Sequence, residues 1–169
     1  MGGLRALLFF GVLALFGLTA SALGTTLAGH RRGRAAESQL SLRIALCASL
    51  GLIFAITLVP ARGPNELQLV PLIRIVRGLT PPVDPAVVTN VVGNIFLFLP
   101  LGAALCLLGL RRRRVVLAGF CLSAAIEITQ LVIPGRTTSS DDVLCNTLGA
   151  FVGFLLASTL AVDRSVSSP

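Results

Sequence analysis

The chain has 169 residues, of which 54% are hydrophobic and only 12% charged, and the apolar residues fall in long blocks. That composition excludes an ordinary water-soluble domain and points to a membrane protein. The net charge is +7, carried by arginine with no lysine, and the arginines sit between apolar blocks, so they read as topology signals and not as a nucleic-acid face.

Crossing a hydrocarbon layer of about 30 Å takes roughly 20 apolar residues as helix. In chain order such blocks run over Leu4–Gly29, Leu40–Pro60, Val88–Leu110, Val115–Pro134 and Val143–Val162. Helices satisfy their own backbone hydrogen bonds, and the alternating segments of a barrel are missing. The expectation is an all-α polytopic membrane protein, a bundle of five transmembrane helices forming a single transmembrane domain over 1–169. The first block, with Arg5 and the "ASA" of Ala20–Ala22, also has signal-peptide features. Cleavage there would put both dense arginine clusters outside, so it reads as a span.

Those clusters, His30–Arg34 and Arg111–Arg114, are separated by two spans and therefore share a side. The positive-inside rule makes that side the cytoplasm, which puts the N-terminus outside and the C-terminus inside. Between the second and third spans, "LQLVPLIRIVRGL" is apolar but too short to cross, and carries Arg74 and Arg77. Two readings stay open for residues 65–80: an amphipathic helix on the outer surface, or a re-entrant cover. The tail "DRSVSSP" reads as frayed.

Polar residues inside the spans are the informative ones, because a carboxylate in lipid costs about 2.5 kcal/mol or more and normally faces a bundle interior or wet cavity. Residues three or four apart share a helix face. Asn90 and Asn94 do so on the third span, Glu127 and Gln130 on the fourth, and Asp142 and Asn146 on the fifth. At 1.5 Å of rise per residue Asn90, Asn94, Glu127, Gln130 and Asn146 fall in the outer half, from about 4 Å outward of the midplane at Glu127 to about 13 Å at Asn90, with Asp142 just above them in the loop. Below Asn146 the same face continues to Gly149 and Gly153, a pair that lets another backbone approach closely. Pro100, mid-membrane, removes the donor to the Phe96 carbonyl and invites a bend.

Glu127 is read either as helix glue hydrogen-bonded to Asn94 or Asn146, or as a functional carboxyl and the candidate catalytic group. Arg136 and Asp142 bind a ligand in one reading and pair to cap the fifth helix, with Asp142 just before it, in the other. The candidate binding set is Asn94, Glu127, Gln130, Arg136, Asp142 and Asn146, with Pro100, Gly102, Gly149 and Gly153 as structural residues. No cofactor and no metal site is expected; Cys47, Cys106, Cys121 and Cys145 read as small buried side chains. His30 is predicted on the far side from the polar stripes and lysine is absent, which excludes a His-assisted nucleophile and a Schiff base.

The order "NIFLFLPLG" (Asn94–Gly102), "EITQ" (Glu127–Gln130) and "GRTTSSDDVLCNTLGAFVG" (Gly135–Gly153) resembles the VanZ-like membrane proteins. "TLVP" (Thr57–Pro60) and "NELQLVPL" (Asn65–Leu72) are similar to that family's loop after an earlier span, so the resemblance covers about 57–153. Motif by motif it reaches Asn94, Phe98, Pro100, Gly102, Glu127, Gln130, Arg136, Asp142, Asn146, Gly149 and Gly153. Leu72 stands where the family often has an aromatic residue, and "TTSSD" replaces a more apolar approach to the acidic pair. The resemblance implies association, in some members, with resistance to teicoplanin-type glycopeptides. Partners on this reading are the lipid bilayer and a lipid-linked cell-wall precursor or lipoglycopeptide, with no nucleic acid. Three functions follow from the residues: binding at the outer leaflet of a bacterial-type cytoplasmic membrane, intramembrane catalysis on a lipid-linked substrate with Glu127 as acid or base, and a structural assembly role.

Overall fold

The computed structural model describes residues 21–22, 35–60 and 66–166. Most of the predicted first span, the His30–Arg34 cluster, Arg62 and Asn65 lie outside the described residues. Within them the chain folds as α1 (Ala35–Thr57), β1 (Glu66–Gln68), α2 (Ile73–Leu79), α3 (Pro85–Leu107), α4 (Arg112–Gln130), β2 (Thr137–Ser139) and α5 (Ser140–Val166). Among the described residues, three stretches are long and apolar enough to cross a membrane: Gln39–Thr57, Pro85–Leu107 and Ser140–Ala161. The expected fourth span, Val115–Pro134, differs: its helix begins earlier and ends at Gln130. Arg112–Arg114 and Glu127 make it too charged to stand with the other three. Proline and glycine at Pro134 and Gly135 then sit in turns.

Helix boundaries follow local chemistry. Asp84 caps α3 by accepting from the Ala86 N–H at 2.9 Å, and Pro85 fills a first-turn position where no donor is needed. Gly109, at φ 82°, turns the chain sharply into α4. The arginines at the start of α4 oppose the helix dipole, so they contribute nothing to helix stability and their presence fits a topology role. The tail expected to fray from Asp163 is helical as far as Val166.

α3 is the central helix, packed against α1, α2, α4 and α5, and its contact with α5 is the most extensive in the bundle. Leu52 and Ile53 of α1, Leu97, Phe98 and Leu101 of α3, Ile126 of α4 and Ala150 of α5 form one buried cluster. The α3–α5 seam is backbone against backbone. A Cβ at Gly102 would lie 1.9 Å from the Ala150 carbonyl oxygen, one at Gly149 2.2 Å from that of Ile95, and one at Gly153 2.0 Å from that of Leu99. Pro100 is buried within α3, and the helix runs through it without interruption.

One feature departs from an all-α bundle. β1 and β2 pair in parallel, with Glu66 opposite Thr137, Leu67 opposite Thr138 and Gln68 opposite Ser139. Strands this short carry no period-2 signal, and they form because two loops meet at one end of the bundle with backbone groups to satisfy. The segment 66–79 therefore folds over that end. Gly78 lies directly against Val87 of α3, with no room for a side chain, while Leu69, Val70, Leu72, Ile73 and Val76 remain exposed.

Candidate functional site

At the end of the bundle covered by β1 and α2, the last turn of α4 presents Glu127 and Gln130 on one buried face. Glu127 accepts a hydrogen bond through Oε2 from the Ser139 N–H at 2.7 Å, and its backbone carbonyl accepts one from the Thr138 hydroxyl at 3.3 Å. The glue reading expected Asn94 or Asn146 as the partner of Glu127; the partner is instead the backbone of β2. The reason is geometric: the chain returns from α4 so tightly that β2 passes over the carboxylate, leaving its N–H to be satisfied there.

Ser139 is also the cap of α5. Its hydroxyl accepts from the Asp141 N–H at 3.2 Å, so Asp141 and Asp142 lie inside the first turn, where the helix dipole favours carboxylates. The expectation that Asp142 precedes the helix is thus corrected by a few residues. The two neighbouring carboxylates diverge: Asp141 accepts from the Leu72 N–H, and Asp142 accepts from Asn90 Nδ2 at 2.7 Å. Leu72 is held at φ 65°, a left-handed conformation unusual for a branched apolar residue, and its bond to Asp141 secures that turn over the site.

Gln130 and Arg136 reach across to α1. Gln130 Nε2 donates to the Thr57 carbonyl at 2.8 Å, while Arg136 donates through Nε to Val59 O at 2.8 Å and through a terminal nitrogen to Ile56 O. The last carbonyls of a helix have no partner within it, and α1 has no basic residue of its own in its last turn. Arg136 supplies that positive end group from elsewhere in the chain. Partial burial lowers its pKa, against the opposing pull of Glu127 and Asp142. The capping pair of Arg136 with Asp142 is not what forms; the guanidinium caps α1 instead.

These groups surround a cavity of about 300 Å³ whose lining includes Asn94, Glu127, Gln130, Arg136, Asp142 and Asn146, together with Asn90, Arg74 and Thr57. Asn146 is 1% exposed; its Nδ2 donates to the Ser123 hydroxyl at 2.8 Å, and its Oδ1 has no partner. Asn94 Nδ2 is likewise buried without a hydrogen bond of good geometry, and the nearest acceptor to act on it is the Asp142 carboxylate. A buried amide atom left unpaired costs free energy of about 1–3 kcal/mol, so two of them at one cavity describe a place prepared for a hydrogen-bonding group. One wants a donor and the other an acceptor.

Four residues of this end were not singled out from the sequence as site residues. Ser123 was visible in principle, since it shares a helix face with Glu127 and Gln130. Ser139 carried the signature of a capping serine followed three residues later by an acid. Arg74 and Asp141 had no such signal, because their positions depend on how 66–79 folds back. Among the described residues, no three histidine, cysteine or acidic side chains converge as metal ligands would.

Neither the curated proteins nor the solved structures provide a match to this chain. The VanZ/LLP1 family model matches residues 42–161, which is most of the chain and includes every residue of the cavity. With three helices of membrane-crossing length and composition inside or overlapping that match, the protein is a membrane protein that belongs to the VanZ/LLP1 family.

Proposed function

We propose that the cavity is a binding site at the outer leaflet of a bacterial-type cytoplasmic membrane, where it engages a polar group of a cell-envelope or lipoglycopeptide-type ligand. The observation that carries this reading is the pair of unpartnered amide atoms, Asn94 Nδ2 and Asn146 Oδ1, in a cavity walled by α3, α4, α5 and the end of α1. The arginine distribution supports a five-span topology with the N-terminus outside and the C-terminus in the cytoplasm, which turns the cavity outward. Family membership supports a role in resistance to teicoplanin-type antibiotics by the same site.

Binding has more support than catalysis. One oxygen of Glu127 is held by the Ser139 N–H, and the Ser139 hydroxyl is engaged in capping α5. A general acid or base needs its oxygen within reach of substrate. Expression of the wild-type chain in teicoplanin-sensitive cells should lower susceptibility, and Asn146→Leu should remove that protection while the protein stays equally abundant in the membrane. Unchanged protection by the variant at equal abundance would overturn the proposal.

A further inference from the structure

Arg111–Arg114 are all exposed, and their side chains make no hydrogen bond or ion pair among the described residues. The positive-inside rule asks for such charge on one side of a membrane, but it does not ask where on that side the charge stands. Two of the four, Arg112 and Arg113, line one end of a groove of about 800 Å³ between α4 and α5. By helical rise they lie about 20 Å along α4 from Glu127, so the groove is a separate place from the polar cavity.

The rest of the groove is suited to hydrocarbon. Its walls are Val116, Leu117 and Phe120 of α4 and Leu144, Leu148 and Phe151 of α5, and four of these six are exposed. Thr147 is the one further polar residue of the lining, and its hydroxyl is engaged by the Val143 carbonyl at 2.7 Å. No acidic residue lines the groove among the described residues. Polarity is thus segregated, with guanidinium groups at the start of α4 and apolar side chains beyond them. From Leu144 to Phe151 the apolar part follows α5 for about 10 Å, within one leaflet's share of the hydrocarbon layer, about 15 Å.

Charge decides among the possible occupants. A second copy seated on this face in the same membrane would bring its own Arg112 and Arg113 to the same depth. The first expected span, Leu4–Gly29, leads into His30–Arg34, which on the proposed topology shares the side of Arg111–Arg114. Either would set like charges against one another, which association disfavours. A zwitterionic lipid brings no net charge to oppose the arginines. An anionic lipid does: its phosphate accepts charge-assisted hydrogen bonds from guanidinium groups, and its acyl chain continues onto the apolar walls.

We propose that the α4–α5 groove binds an anionic phospholipid of the leaflet at the arginine end, cytoplasmic on the proposed topology. Arg112 and Arg113 hold the head-group phosphate, and one acyl chain lies over Val116, Phe120, Leu148 and Phe151. Bound there, the lipid offsets the repulsion among four adjacent guanidinium groups and steadies the start of α4 against α5.

The test uses the full-length protein in phosphatidylcholine nanodiscs with two photoreactive probes that carry the same diazirine acyl chain, one a phosphatidylglycerol and the other a phosphatidylcholine. At low salt the glycerol probe should label the segments 112–120 and 144–151 about tenfold more than the choline probe, as two arginines beside an anionic head group imply. Arg112→Gln with Arg113→Gln should abolish that preference, whereas Arg111→Gln with Arg114→Gln, which removes the same charge outside the groove lining, should leave most of it. Leu148→Trp keeps all four arginines and fills the groove from an exposed position, so it should cut labelling by the glycerol probe about fivefold even where the first arginine pair fails to assemble. Equal labelling by both probes marks ordinary boundary lipid and overturns the proposal. Equal losses in the two arginine pairs also overturn it, since they describe a basic surface and no site. Labelling that survives Leu148→Trp in folded protein does the same, and so does absence of label from both segments, which means that the first span or a second copy covers the groove.

Discussion

The same two helices, α3 and α5, behave in opposite ways at their two halves. Along the seam of Gly102, Gly149 and Gly153 they touch backbone to backbone, with no space for even a methyl group. One or two turns away, Asn94 and Asn146 face a cavity and leave amide atoms unpaired. The contrast shows how a small membrane protein keeps a polar hollow open: lipid supplies no hydrophobic force between helices, so close van der Waals packing at the seam holds the helices together while the polar end stays unfilled. Stability resides in the seam and binding capacity in the cavity, and substitutions should separate them.

The largest effect is expected at the seam. Gly153→Leu places side-chain atoms where the Leu99 carbonyl now sits and should destabilise the fold by about 3 kcal/mol, at the upper end for overpacking. Thermal unfolding in detergent and membrane abundance both report it; a variant with wild-type stability would show that the seam is looser than described.

Next comes the joint between the regions. Glu127→Leu leaves the Ser139 N–H buried and unpaired, at a cost of about 1–3 kcal/mol, whereas Glu127→Gln keeps an acceptor oxygen and should lose less than half as much. Equal losses in the two variants would mean that the charge, and not the hydrogen bond, holds β2. Ser139→Ala removes the cap of α5 and should lower stability by about 1 kcal/mol, with faster amide exchange confined to the first turn of that helix.

The smallest stability change belongs to the cavity itself. Asn94 Nδ2 makes no hydrogen bond of good geometry and has only its proximity to the Asp142 carboxylate to lose, so Asn94→Leu should alter stability by less than about 1 kcal/mol and still abolish antibiotic protection. A clear loss of stability there would assign Asn94 to the scaffold and blur the distinction.

Much of the polar end was legible in the residues because helix periodicity is local. Spacings of three and four put Glu127 with Gln130, and Asp142 with Asn146, on common faces whatever surrounds them. Where those faces point, and what they bond, was not legible in the same way. Glu127 accepts from a backbone N–H of β2, Asn146 donates to Ser123, and Arg136 and Gln130 serve carbonyls at the end of α1 and just beyond it, more than seventy residues upstream in sequence. Apart from Ser123, which shares the helix face of Glu127, none of those partners leaves a trace in spacing, since backbone donors and acceptors exist at nearly every residue.

What the sequence determined by itself is the set of quantities summed along the chain: apolar blocks of helical length, arginines between them, three polar stripes, and glycines placed where a close approach is possible. Tertiary structure alone decided the rest. It folded 66–79 over the bundle end, paired β1 with β2, brought Arg74 to the cavity, and left Asn94 and Asn146 each with an amide atom unanswered. The physical reason is that periodicity fixes the direction of a side chain relative to its own helix, while hydrogen bonding depends on which backbone arrives opposite it. That is set by helix spacing, and here the α3–α5 glycines set it.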